Sequence, residues 1–154
     1  MLTAGDIVEL VAGLPGVTAG EATGAPEVAW GDSFFFYDPN DDEADRMMPF
    51  ATIVTKDYDG FDTASNINRP GLFRLNIAVG RTTFQALLGY PPAAHAEHHS
   101  GIDYTVVDDV LPHPVYAVQG WVSILNPAEA TTARTHTLLT DARARAVSRY
   151  RPRG

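Results

Sequence analysis

The chain has no cysteine. That removes disulfides, thiolate catalysis and cysteine-ligated zinc together. It has a single lysine, Lys56, against ten arginines, a bias that a GC-rich coding sequence is enough to produce. No stretch approaches the roughly 20 apolar residues that a membrane-spanning helix needs. Positive charge is scarce as well. The formal net charge is −8 at pH 7, which opposes a general attraction to nucleic acid or anionic membranes. The first residues, MLTAGDIVELVAGLPG, carry acids where a signal peptide carries bases. The expectation is a cytoplasmic protein whose first segment belongs to the fold. Also missing are a Gly-rich phosphate cradle and a GxSxG turn around Ser65 or Ser123.

What is present describes one globular domain over residues 1–154. Apolar residues make up 45% and charged residues 19%, enough to build a core in a chain of 154 residues. Thr3 precedes a pattern in which Ile7, Leu10, Val11 and Leu14 share a helical face, ended by Pro15-Gly16. Strands are expected at Val17–Glu21, Ser33–Tyr37, Pro49–Lys56 and Leu72–Val79, with the polar loop Asp38–Asp45 between the second and third. Oxygens for calcium are plentiful in that loop, yet the Gly and bidentate Glu of an EF-hand are not there, which favours a solvated connection. Helices are expected at Thr82–Leu88, at Asp103–Leu111 and over Thr131–Tyr150, whose apolar side is Leu138, Leu139, Ala142 and Ala146. Val115–Leu125 reads as a strand bent at Gly120, while Tyr90–Ser100 gives no clear conformation.

Strands adjacent in sequence, with helices flanking them, imply an α+β fold: an antiparallel sheet with helices mainly on one face. Alternation then divides the strand Leu72–Val79. Phe73, Leu75, Ile77 and Val79 face the helices, and Arg74 and Asn76 face the other way. Gln119, Trp121 and Ser123 share that second face if Val118, Val122 and Ile124 enter the core.

Three phrases, PEVAWGDSFFFYDP, PFATIVTKDYDGFDTASNINRPGLFRLNI and LPHPVYAVQGWVSILNP, closely resemble the domain-of-unknown-function 6194 family. The likeness runs from about residue 17 to residue 150. The layout is more loosely similar to the MmcQ/YjbR-like group, whose members are small α+β proteins suggested to bind nucleic acid through wing-like hairpins. The phrase DYDGFDTASNINRPG is longer than that group's pattern. The resemblance implies a fold and carries no catalytic residues or cofactor with it.

Sites must come from the residues. Arg74, Asn76, Gln119, Trp121 and Ser123, with Lys56 and His113 at strand ends, form the leading constellation. Arg forks a carboxylate or phosphate, amides fix polar groups, and indole supplies a flat wall. The competing reading is a solvated sheet face with one half-buried tryptophan. His113 suits a general base near neutral pH, or else holds the strand entry between Pro112 and Pro114. His95, His98 and His99 offer metal-binding nitrogens, with His95 and His99 one turn apart, although surface histidines explain the cluster as well. The arginines Arg143, Arg145, Arg149, Arg151 and Arg153 suit a helix C-terminus. They form no single stripe, since Arg143 and Arg145 diverge by about 200° at 100° per residue. The expectation is a small polar or anionic organic ligand on the polar sheet face, with catalysis left open. The alternative is a protein or nucleic-acid interaction module.

Overall fold

The computed structural model describes residues 2–21, 32–40 and 48–150. Helix α1 (Ala4–Ala12) starts where the side chain of Thr3 accepts from the Asp6 amide and Asp6 accepts from the Thr3 amide, both at 3.0 Å. This reciprocal cap satisfies two otherwise orphaned donors. Ile7 and Val11 are fully buried, and Leu10 and Leu14 pack at the margin of the core, as their spacing implies.

Strands β1 (Val17–Glu21), β2 (Ser33–Tyr37), β3 (Ala51–Val54) and β4 (Arg74–Ala78) form an antiparallel run in chain order. Two more strands, β5 (Leu111–Pro112) and β6 (Trp121–Leu125), complete the sheet in the order β1-β2-β3-β4-β6-β5. Helices α2 (Gly80–Leu88), α3 (His95–His98) and α4 (Thr132–Arg149) follow the strands they flank. Phe35, Ile53, Leu75, Ile77, Val122 and Ile124 point to the helical side and join Ile7, Phe84, Leu138, Leu139 and Ala142 in one core. The architecture is therefore α+β, an antiparallel sheet with helices on one face.

Two expectations are corrected. Asp103–Leu111 is not a helix. Asp103 turns back to accept from the Thr105 amide, and Asp108 sits at φ 54 with its carboxylate accepting from the amides of Ala128, Ala130 and Thr131. A left-handed residue cannot continue an α-helix, and the hydrogen bonds it makes to the turn leading into α4 offset its strain. Val115–Leu125 is not one bent strand either. Ala117–Gln119 forms a 3-10 turn, Gly120 at φ 84 ends it, and only Trp121–Leu125 pairs with β4. Val115 and Tyr116 spend their amides on the ring of His113, so neither extends a ladder.

Gly120 also makes an interlock. Its carbonyl accepts from Val79 and Gly80, and a Cβ on it would stand 3.1 Å from the Gly80 Cα. The start of β6 and the start of α2 touch there because neither residue has a side chain. Gly24, Pro26 and Gly31, where a turn between the first two strands is expected, the loop beyond Asn40, and Arg151 and Arg153 lie outside the described residues.

Candidate functional site

The second sheet face does carry the expected polar side chains, but it is not open. Arg74 is 1% exposed, Asn76 1% and Ser123 3%. The long loop after β3 folds over them. Tyr58 and Asp62 bridge each other, Ile67 is buried, and Arg69 donates to the carbonyls of Ser65, Asn66 and Thr105. From that loop Asp62 takes the Arg74 guanidinium with both carboxylate oxygens, and Ser65 Oγ accepts from Arg74 Nη1 at 3.0 Å. Arg74 Nε donates to Asn76 Oδ1 at 2.8 Å. The same Asn76 oxygen accepts from Ser123 Oγ at 2.9 Å, while Asn76 Nδ2 donates to Thr52 Oγ1 at 2.9 Å. Beside this lies Asp32, fully buried, accepting from the Thr55 amide and hydroxyl and from the Tyr58 hydroxyl. Burial, with that contact to Asp32, pushes the Tyr58 pKa well up.

His113 closes the network. Its Nδ1 accepts from the amides of Val115 and Tyr116, both at 3.0 Å. That pattern places the proton of the neutral ring on Nε2, which stands 3.4 Å from Arg74 Nη2. Burial and the Arg74 charge push its pKa down to about 3, against the opposing pull of Asp62. A ring with Nδ1 occupied and Nε2 protonated has no lone pair for a general base. The expected base is a structural acceptor for those two amides. Trp121, 8% exposed, packs against His113 and Tyr116.

The other members of the expected constellation separate. Lys56 is half-buried just past the end of β3, and Gln119 is exposed on the 3-10 turn, away from the strand. The histidines also resolve differently. His95 is buried with Nδ1 3.0 Å from the Tyr90 hydroxyl and Nε2 3.2 Å from the Tyr104 hydroxyl, and His99 Nδ1 lies 2.7 Å from the same Tyr104 oxygen. His98 stacks on Tyr90 with centroids 3.9 Å apart. Both nitrogens of His95 are committed to phenols. Burial and the neighbouring His99 and His98 lower its pKa. No group of three metal-binding side chains gathers among the described residues.

Sequence reasoning missed a cavity of about 660 Å³ between the start of α2 and the last turns of α4. Arg81, Thr82 and Thr83 line it from α2, Gln119 and Gly120 from the turn before β6, and Arg145 and Arg149 from α4. Val79, Pro92, Ala93 and Val118 provide apolar wall. Arg145 Nη1 donates to the Ala78 carbonyl at 3.1 Å, and its guanidinium occupies the space where a Gly80 side chain would stand. Among the described residues the one ion pair is Arg74 with Asp62, so none of these three arginines has a carboxylate partner there. The signal was the i, i+4 spacing of Arg145 and Arg149, hidden by reading the C-terminal arginines as one group. Arg143 belongs elsewhere. It donates to the Pro15 carbonyl and lies over the Tyr37 ring.

No helix among the described residues is long and apolar enough to cross a membrane. No curated protein and no solved structure matches the chain. Its sequence matches a family of unknown function, DUF6194, over residues 2–154, and the chain belongs to that family.

Proposed function

We propose that this protein binds a small organic anion, and that it does so in the arginine-lined cavity instead of on the polar sheet face. One observation carries the reading: Arg81, Arg145 and Arg149 surround a single cavity with no carboxylate paired to them among the described residues. Guanidinium groups left side by side repel, and burial together with the Arg149 charge pushes the Arg145 pKa down. An anion from solution relieves that cost. The volume, about 660 Å³, falls in the usual range of small-molecule sites, roughly 300–1,000 Å³, and apolar wall beside a few polar groups is their usual lining.

The polar face offers less. The guanidinium of Arg74 is already forked by Asp62, and a ligand would have to displace that carboxylate from a buried site. Arg74 is assigned to holding the loop, Asn76 and Ser123 to holding Arg74, and Trp121 to packing beside His113, while Gln119 passes to the cavity. Kinship with the MmcQ/YjbR-like group and a cytoplasmic location remain part of this proposal. The rival reading, a nucleic-acid or protein interaction module, would use the same arginines on a larger partner. The net charge of −8 and the concavity favour the small ligand.

Native mass spectrometry of freshly purified protein tests the proposal. A copurified organic anion, lost in an Arg145→Gln, Arg149→Gln double variant, is the expected result. A ligand retained by that double variant would place binding elsewhere.

A further inference from the structure

Resting on the anion-binding reading, we infer that the ligand is a phosphomonoester, a dianionic phosphate carried on a small organic body. Charge is the first argument. Three guanidinium groups lie around one cavity and no Asp or Glu among the described residues lines it, so a single carboxylate leaves a large excess of positive charge. A phosphomonoester carries about −1.5 to −2 charges at pH 7.

The number of donors is the second argument. A carboxylate has two oxygens, whereas a phosphomonoester presents three terminal ones. The cavity lining holds the forks of Arg81, Arg145 and Arg149, the hydroxyls of Thr82 and Thr83, and the Gln119 amide. The start of α2 adds to this without being the basis of the assignment. No side chain caps that helix, and the Gly120 carbonyl takes the amides of Val79 and Gly80. The amides of Arg81 and Thr82, which both line the cavity, have no partner within the helix and lie at the end of its dipole that favours an anion.

Shape is the third. Val118, Pro92, Ala93 and Val79 form an apolar wall that a bare inorganic phosphate would not cover. Val118 is 56% exposed, so an organic body lying along it removes apolar surface from water. Among the described residues no histidine or carboxylate lines the cavity to serve as a general base. The chemistry is that of a binding site: it recognises the phosphoryl group without cleaving it.

Calorimetry on the whole chain with four probes tests the assignment: phenyl phosphate, benzoate, methyl phenyl phosphate and a single-stranded oligonucleotide. The expected result is that phenyl phosphate binds at least about tenfold tighter than benzoate and than the diester, since it alone brings the second charge. Its affinity should fall as the pH drops through about 6, where the second phosphate proton returns. Arg81→Gln and Arg149→Gln, both at exposed positions, should each weaken it about tenfold with the apo melting temperature unchanged. Benzoate binding as tightly as phenyl phosphate would overturn the phosphomonoester while leaving the anion reading intact. Tighter binding of the oligonucleotide would overturn the small-ligand assignment. Binding of none of the four would end both readings.

Discussion

Arg74 shows how far a single residue's role depends on what covers it. Alternation correctly sends its side chain away from the core, but the loop from Tyr58 to Asp62 seals that direction. Arg74→Ala is therefore expected to cost about 3–5 kcal/mol, because it leaves the Asp62 carboxylate buried without its partner. Urea unfolding measures this. An unchanged midpoint would mean that the loop stands open in solution. Replacing both partners, Arg74→Met with Asp62→Leu, should recover much of the loss.

His113 gives a pH prediction at the same scale. Its pKa is about 3 in the fold and about 6.5 in the unfolded chain, so between those values the unfolded state holds one more proton. Stability is fully present above pH 6.5 and falls on acidification by about 1.4 kcal/mol per pH unit in the window below it. His95 is shifted the same way and adds to the slope. Between pH 6.5 and 5 most carboxylates stay ionised, so the histidines dominate. Urea midpoints across that window should fall in the parent and fall less in His113→Asn. Equal slopes in the two proteins would remove His113 from the account.

At the scale of elements, β1, β2 and α1 were legible because local and tertiary preferences agree there. The Thr3 cap, the i, i+3, i+4 apolar face of α1 and the aromatic run Phe34–Phe36 between turn-rich segments all point to one structure. The segment Asp103–Leu111 was not legible. Its apolar spacing suits a helix, yet Asp108 accepts from three amides 20 or more residues away, a partner set that no local window contains. The polar face was legible as a set of residues and not as a surface, since periodicity gives direction and says nothing of cover. The arginine cavity was obscured for a related reason: its walls come from α2, a turn and α4, far apart in sequence.

Helix α4 supplies its own prediction. Thr135 is fully buried on its inner face, and its hydroxyl has no partner among the described residues. An unsatisfied buried hydroxyl is costly, whereas an apolar group of the same shape is not. Thr135→Val should stabilise the protein by about 1 kcal/mol. A lower urea midpoint for the variant would show that the hydroxyl is bonded after all, through a water molecule or a backbone carbonyl.

On the scale of the whole molecule, charge is divided by purpose. The chain is acidic overall, and its arginines are used in different ways: Arg69 pins a loop, Arg74 is locked in the sheet, and Arg143 ties α4 to Pro15. Arg81, Arg145 and Arg149 instead surround a cavity at the interlock of Gly80 with Gly120. The same fold thus offers two polar regions, one closed by its own partners and one open to solvent. On the proposed reading only the second binds an anion, and a heteronuclear NMR titration with phenyl phosphate tells the two regions apart. The amides of Arg81, Thr82, Thr83 and Gly120 should move most, with those of Arg74, Asn76 and Ser123 nearly still. Large shifts at Arg74, Asn76 and the Trp121 indole, with none at the start of α2, would contradict it.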